Sequence, residues 1–170
     1  MGWTFTLGYD KKDMVKDLLI ETATRKVLDH SVRGSRLWVA FELVNRDDSR
    51  DRVIALFLLR KDGYSYGYKD MDETMGPYYY DCPLKLLKLV PDGSRFANEQ
   101  WRAKVREYWA IKKAERDNPI EDGCTVRVKQ GWKGAGTEFI AHLKKHRRRW
   151  YVYDGHFASL HYPRRAVERV

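Results

Sequence analysis

Hydrophobic and polar residues alternate through much of the first half of the chain, and this alternation predicts strands. Apolar side chains recur at every second residue within Trp3–Tyr9, Leu37–Leu43 and Val53–Leu59, which is the period of a strand with one buried face. The polar segment 45–51 and the dipeptide Asp62-Gly63 are typical of tight connections between such strands. The pattern therefore predicts an antiparallel meander.

Helical spacing of apolar residues predicts three helices beside this sheet. Asp10 or Asp13 can cap a first helix over Met14–Ala23, because their carboxylates accept bonds from free backbone N–H groups. Pro83 is suited to begin a short helix over 84–89, and a longer helix is predicted over 97–115. We expect the aromatic residues of the longer helix to pack against the sheet.

The last quarter of the chain has a different pattern, with short strands around a glycine-rich loop at 131–136 and a final strand after Pro163. This arrangement resembles an SH3-like barrel. The polar segment 117–123 contains proline and glycine and is a predicted linker. The sequence thus predicts an α+β protein, with an antiparallel sheet packed with helices in residues 1–116 and a small C-terminal SH3-like β-barrel subdomain in residues 124–170.

Charge is concentrated in that C-terminal segment. The chain has 170 residues and a formal net charge of +9. Residues 1–123 hold 22 Lys and Arg against 21 Asp and Glu, whereas residues 124–170 hold 11 against 3, a net charge of about +8. A surplus of this size favours a polyanion or an acidic protein surface as the partner.

No apolar run approaches the length of a membrane span, and two cysteines give neither a disulfide framework nor a four-cysteine metal site. We therefore expect a protein of a reducing cytoplasm that does not bind membranes. The five histidines show no metal-ligand spacing, so no metal is assigned.

The basic run 144–149, followed by Trp150, is the strongest predicted binding site. Arginines beside aromatic rings suit phosphate contact together with base stacking, although a solvated turn has the same composition. Phosphate contacts would give affinity without sequence preference. The predicted nucleic-acid-binding or partner-binding residues are Trp132, Lys133, Lys144, Lys145, Arg147, Arg148, Arg149, Trp150, Arg164 and Arg165.

Three carboxylates, Asp70, Asp72 and Glu73, follow an aromatic strand and are the candidates for an enzyme. Such a cluster can hold Mg²⁺, or raise one pKa until that carboxyl serves as general acid or base. Acidic loops more often pair with a neighbour such as Lys69 or with backbone donors near Gly76. We therefore assign no catalytic residue and no cofactor, and Mg²⁺ belongs only to the alternative of a metal-dependent enzyme acting on nucleic acid or a nucleotide.

Several motifs resemble an uncharacterised protein family of bacteriophages and bacterial mobile elements. They are Met1-Gly2-Trp3-Thr4, Tyr68-Lys69-Asp70-Met71-Asp72-Glu73, Gly76-Pro77, Tyr79-Tyr80-Asp81-Cys82-Pro83 and Trp101-Arg102. The resemblance implies a genomic setting and no reaction. Together with the charge, it leads us to expect a non-enzymatic accessory protein that binds nucleic acid or a host nucleic-acid-handling complex. Inhibition of host defence, of the anti-CRISPR or anti-restriction type, is an expected purpose, and a protein–protein interaction module is a further alternative.

Overall fold

A computed structural model describes residues 2–146, 149–156 and 160–170, with the side chains of His146, Arg149 and Trp150 left out. The chain divides into two compact units, Met1–Ala110 and Ile111–Val170. The predicted end of the first domain, at residue 116, lies near the end of the long helix that finishes at Asp117. Within the described part of the chain, no helix is long and apolar enough to cross a membrane.

The first unit is a five-stranded antiparallel sheet with helices, as the alternation predicts. Its strands lie in the spatial order β1-β5-β4-β3-β2. They are β1 (Thr4–Thr6), β2 (Arg25–Arg33), β3 (Arg36–Val44), β4 (Arg50–Asp62) and β5 (Ser65–Asp72). The helices are α1 (Lys11–Leu18), α2 (Leu84–Leu87) and α3 (Glu99–Asp117), with a 3-10 helix at Glu73–Met75.

Strands β3 and β4 are buried on both faces, and β1 has no buried residue, so the prediction of one buried face per strand was wrong for these three. Strand β3 shows the two buried faces most completely. Its even-numbered residues, such as Trp38, pack with residues of α2 and α3 in one cluster. Its odd-numbered residues, such as Val39, pack with Met14 and Leu18 of α1 in a second cluster. The sheet is therefore a middle layer between helices, and a central strand in such a position has no solvated face.

Helix α1 confirms the predicted cap at Asp10 but is shorter than predicted. The Asp10 carboxylate accepts bonds from the backbone N–H groups of Lys12, at 2.6 Å, and Asp13, at 2.9 Å. The helix ends at Leu18 instead of Ala23. The reason is that residues 22–25 form a turn, closed by an isolated bridge between Thr22 and Arg25, which leads directly into β2.

The second unit contains two three-stranded antiparallel sheets, in the orders β10-β9-β8 and β11-β6-β7. Their strands are β6 (Thr125–Val128), β7 (Glu138–Ile140), β8 (His142–His146), β9 (Arg149–Tyr153), β10 (Tyr162–Pro163) and β11 (Val167–Arg169). A 3-10 helix, Arg164–Ala166, precedes β11. One small core, which includes Val126, Val152 and Val167, is shared by the strands of both sheets.

The strand pairs among the described residues of this unit form two sheets and no closed barrel. Strand β10 begins at Tyr162, and residues 157–159 before it lie outside the described part of the chain. The coarse prediction, a mixed protein of antiparallel sheets and a few helices, is confirmed.

Gly67 of β5 provides a test of the edge of the first sheet. A Cβ atom at this position would lie 2.4 Å from Cδ1 of Phe5 and 2.6 Å from the backbone oxygen of Thr4. We expect Gly67→Ala to lower the free energy of unfolding by about 1 to 3 kcal/mol, because β1 must move away. Urea denaturation measures this change. Gly2→Ala is the control, since nothing lies within 4 Å of that site, and equal stability of the two variants would contradict the packing of β1 on β5.

Candidate nucleic-acid interface

The three candidate carboxylates do not share a loop. Asp70 and Asp72 belong to strand β5, which extends further than predicted because these residues pair with Phe57 and Ala55 of β4. Glu73 is the first residue of the following 3-10 helix. The prediction of an acidic loop was therefore wrong in its backbone structure, and the three side chains have three different environments.

Glu73 is fully buried and is held by Arg102 of α3, which is fully buried as well. Nε of Arg102 lies 2.6 Å from Oε2 of Glu73, and its Nη2 lies 2.7 Å from Oε1. Nη1 of Arg102 donates to the backbone oxygen of Val90, at 2.8 Å, and to Asp92, also at 2.8 Å. Both carboxylate oxygens and all three guanidinium nitrogens are thus occupied, which is what a buried ion pair requires for stability.

The other two carboxylates have different positions. Asp72 caps the 3-10 helix by accepting a bond from the backbone N–H of Thr74, at 2.9 Å, and from its hydroxyl, so it does not depend on Lys69. Asp70 is exposed on β5. Within the described residues there is no group of three or more His, Cys, Asp or Glu side chains that could hold a metal ion. The geometry therefore gives structural roles to Asp72, as a helix cap, and to Glu73, as half of a buried ion pair.

The cysteine of the same region, Cys82, is a poor candidate for a nucleophile. Cys82 is buried, and burial raises the pKa of its thiol far above the ordinary range. A neutral buried thiol is a poor nucleophile. The backbone oxygen of Cys82 accepts a bond from the indole N–H of Trp109, at 2.7 Å. Trp101 of the same helix packs against Trp38 of β3, as predicted for the aromatic residues of α3.

The second unit contains a groove of about 740 Å³ with a basic lining. Six of its lining residues are Lys or Arg and two are Glu. The cationic ones are Lys112, Arg116, Lys129, Arg164, Arg165 and Arg169, and the acidic ones are Glu115 and Glu168. The groove therefore has a surplus of about four positive charges before ion pairs are considered.

Three of these cations are neutralised by nearby carboxylates. Lys112 contacts Glu115 at 2.7 Å, Arg116 contacts Asp117 at 3.4 Å, and Arg169 contacts Glu121 at 3.9 Å. Such pairs leave little net charge for a ligand. They are also exposed, so each contributes little to stability.

The other three, Lys129, Arg164 and Arg165, have no carboxylate of the described residues within ion-pairing distance. Arg164 donates to the backbone oxygen of Ile120. The guanidinium of Arg165 lies over the ring of Trp132, 5.6 Å from its centroid, an arrangement that orients the cation without neutralising it. The uncompensated charge of the groove is therefore concentrated at these three residues.

The structure brings together only part of the predicted binding set. Arg165 lies over Trp132, and Arg164 is its neighbour in the 3-10 helix. Lys133 is exposed on the glycine-rich loop, and Lys144 and Lys145 are exposed on β8. Arg147 and Arg148 lie outside the described residues, as do the side chains of Arg149 and Trp150, whose backbone belongs to β9.

Two parts of the site were missed by sequence reasoning. Lys129 was not selected, and no local pattern marks it, since it reaches the groove only because β6 pairs with β11. The rings of His142, Tyr153 and His161 form a row on the sheet β10-β9-β8. Each ring comes from a different segment, His142 from β8, Tyr153 from β9 and His161 from the residue before β10, so no local pattern marks the row.

The buried ion pair and the exposed carboxylate differ in a way that stability measurements can detect. Glu73→Gln removes the buried counter-charge of Arg102 and leaves only Asp92, whose side chain is 57% exposed, at Nη1 of the guanidinium, so we expect the free energy of unfolding to fall by about 3 to 5 kcal/mol. Asp70→Asn is the same chemical change at an exposed position, and we expect a change within about 0.5 kcal/mol. Chemical denaturation of both variants checks this, and a similar loss in the two would contradict a structural role for Glu73.

Asp92 allows a pH test of the same network. Hydrogen bonds from Arg102 and then Arg106 lower the pKa of its carboxyl from the ordinary value of 3.8. Because the folded-state pKa is depressed, the stabilisation is present above the unfolded-state pKa and is lost as pH falls through the folded-state value. Arg106→Ala should raise the pKa of Asp92 towards 3.8, as measured by carbon NMR of the carboxyl groups.

Asp10 is an internal control in the same spectra. Its pKa is lowered mainly by the backbone N–H of Asp13, far from Arg106 in the sequence, so Arg106→Ala should leave it unchanged. An unchanged Asp92 in this variant would contradict the ion pair of 2.7 Å between Arg106 and Asp92.

Comparison with protein-family models, with curated proteins and with solved structures finds no match for the chain. The function is therefore inferred from the charge, burial and geometry of the residues described above.

Proposed function

We propose that this chain is a non-enzymatic nucleic-acid-binding protein whose second unit holds the phosphate backbone. The observation that carries the proposal is the groove in which Lys129, Arg164 and Arg165 lie together without a carboxylate partner among the described residues. A bound polyanion relieves the repulsion among these cations. Binding also releases the counter-ions that are condensed on the nucleic acid, which favours the complex.

The chemistry of the groove suits phosphate better than a single carboxylate. Arginine offers a planar set of donors that can contact two phosphate oxygens, and lysine adds a point charge. The position of Arg165 over Trp132 reduces the rotamer freedom that binding would otherwise remove. Contacts of this kind position a nucleic acid and do not select a sequence.

We also propose that the strands of the second unit have an SH3-like arrangement. Ala141 separates β7 from β8 by one residue, and its N–H donates to the backbone oxygen of Cys124, at 2.8 Å, so one continuous segment contributes to both sheets. A long loop between β6 and β7 and a 3-10 helix before β11 also support it. This 3-10 helix contains Arg164 and Arg165, although a fold of this type does not by itself assign a function.

The biological setting that we propose rests on the N-terminal motifs that resemble a bacteriophage and mobile-element family. In that setting the protein would act in the bacterial cytoplasm, on nucleic acid or on a host complex that handles it, with inhibition of host defence as its purpose. Two free cysteines are consistent with a reducing compartment. An acidic protein surface satisfies the same electrostatics and is one outcome of the test below.

The test is the double variant Lys129→Ala/Arg165→Ala. Binding of a fluorescently labelled oligonucleotide is measured by anisotropy between about 50 and 200 mM salt, where phosphate contacts give a steep dependence. We expect weaker binding and a slope of log K against log salt that is reduced by about 1 for each removed cation. Lys26→Ala/Lys61→Ala is the matched control, because it removes the same charge from exposed positions of the first unit.

Equal slopes for the two double variants would remove the groove from the proposal, and failure of the unmodified protein to bind any oligonucleotide at low salt would overturn it. Pull-down from the bacterial host, with and without nuclease, then distinguishes the partners. A protein partner that survives nuclease treatment and is lost with Lys129→Ala/Arg165→Ala would identify a protein–protein interaction module instead.

A further inference from the structure

The outward face of the sheet β10-β9-β8 carries a row of three aromatic rings. The ring centroids of His142 and Tyr153 lie 5.7 Å apart at an interplanar angle of 52°. Those of Tyr153 and His161 lie 5.1 Å apart at 21°, which is a stacked arrangement. The register supports this geometry, because His142 pairs with Tyr153 across β8 and β9.

This row is separate from the core of the unit. The neighbouring positions Leu143, Val152 and Tyr162 are paired across the same strands and pack inward. Since side chains alternate between the faces of a strand, the three rings face outward. Tyr153 is half-buried between the two histidine rings, whereas His161 is exposed and the side chain of His142 is 43% exposed, so ring surface is available at the two ends of the row.

A second row on the same face adds a cation. Lys144 pairs with Tyr151, which in turn pairs with Pro163, about 7 Å further along the strands. Lys144 is exposed and Tyr151 is half-buried. Alternating rings and cations on an open sheet are the arrangement by which proteins hold unpaired nucleotides, since bases stack on the rings and the cations follow the phosphates.

The distribution of charge along the hairpin of β8 and β9 favours one orientation of a bound nucleic acid. The carboxylate of Asp122 lies 4.0 Å from Nδ1 of His142, and Asp154 directly follows Tyr153. Lys144 and Lys145 lie towards the other end of β8. Phosphates are therefore repelled from the end of the hairpin where the ring row lies and attracted towards the end with the lysines.

We propose that this face is a stacking site for single-stranded nucleic acid, with bases on the exposed ring of His161, which Tyr153 supports by stacking, and phosphates directed towards Lys144 on the same face. The inference rests on the proposed function for the class of ligand, but it concerns a different surface from the groove. A duplex is the poorer ligand, because its base faces are already covered by their own neighbours. Stacking is available to every base, so the site discriminates strandedness and not sequence.

The experiment compares Tyr153→Leu with Tyr153→Phe, which keeps the ring and is the matched control. The probes are labelled oligothymidylate and oligouridylate of about 12 nucleotides, and a mixed-sequence duplex of the same length. We expect the unmodified protein to prefer the single strands. Tyr153→Leu should weaken the binding of the single strands about tenfold, with the salt dependence and the duplex affinity unchanged. Tyr153→Phe should change the affinity for the single strands less than about twofold.

Thermal unfolding of each variant checks that the hairpin is intact. His161→Ala, at an exposed position, is the second variant, and we expect it to weaken single-strand binding by several fold without a change in melting temperature. A preference for the duplex in the unmodified protein, or single-strand binding that is unaffected by both Tyr153→Leu and His161→Ala, would overturn the stacking site.

The two proposals fail in different ways. If Lys129→Ala/Arg165→Ala lowers the salt dependence while the ring variants have no effect, the phosphate groove stands and the stacking site falls. If the ring variants weaken binding while Lys129→Ala/Arg165→Ala does not, the groove falls and the stacking site stands. If no probe is bound at low salt, both are overturned.

Discussion

A carboxylate and a guanidinium, both removed from solvent, join three segments of the first unit that are far apart in the sequence. Glu73 follows the last residue of β5, Arg102 lies in the second turn of α3, and Val90 and Asp92 belong to the connection between α2 and α3. Burial of two charges is costly, and this cost is offset only when every oxygen and nitrogen has a partner. The pair therefore constrains how the end of β5, this connection and the start of α3 meet.

This constraint changes the meaning of the acidic motif. Several carboxylates in a short segment often form a metal site or an acid–base centre, because clustering raises their affinity for cations and shifts their pKa values. Here the tertiary structure separates them into an exposed side chain, a helix cap and a buried ion pair. The proposed function therefore rests on the positive charge of the second unit.

Within that unit, the two proposed surfaces contact different parts of a nucleic acid. The groove around Lys129 and Arg165 supplies charge, which acts on any phosphate backbone and weakens with salt. The ring row of His142, Tyr153 and His161 supplies π faces, which act only on exposed bases and are insensitive to salt. Each surface is built on strands and a 3-10 helix of one small core, so neither requires a large rearrangement to present its side chains.

The sequence by itself determined the strands, the helix cap at Asp10 and the concentration of charge near the carboxyl end, because alternation, capping and charge are properties of neighbouring residues. Only the tertiary structure decided that β3 is buried on both faces, since the number of layers around a strand is not encoded in its own period. It also decided that Glu73 meets Arg102 and that Lys129 lines the same groove as Arg165. In both cases the residues are far apart in the sequence, so their proximity exists only once the chain has folded.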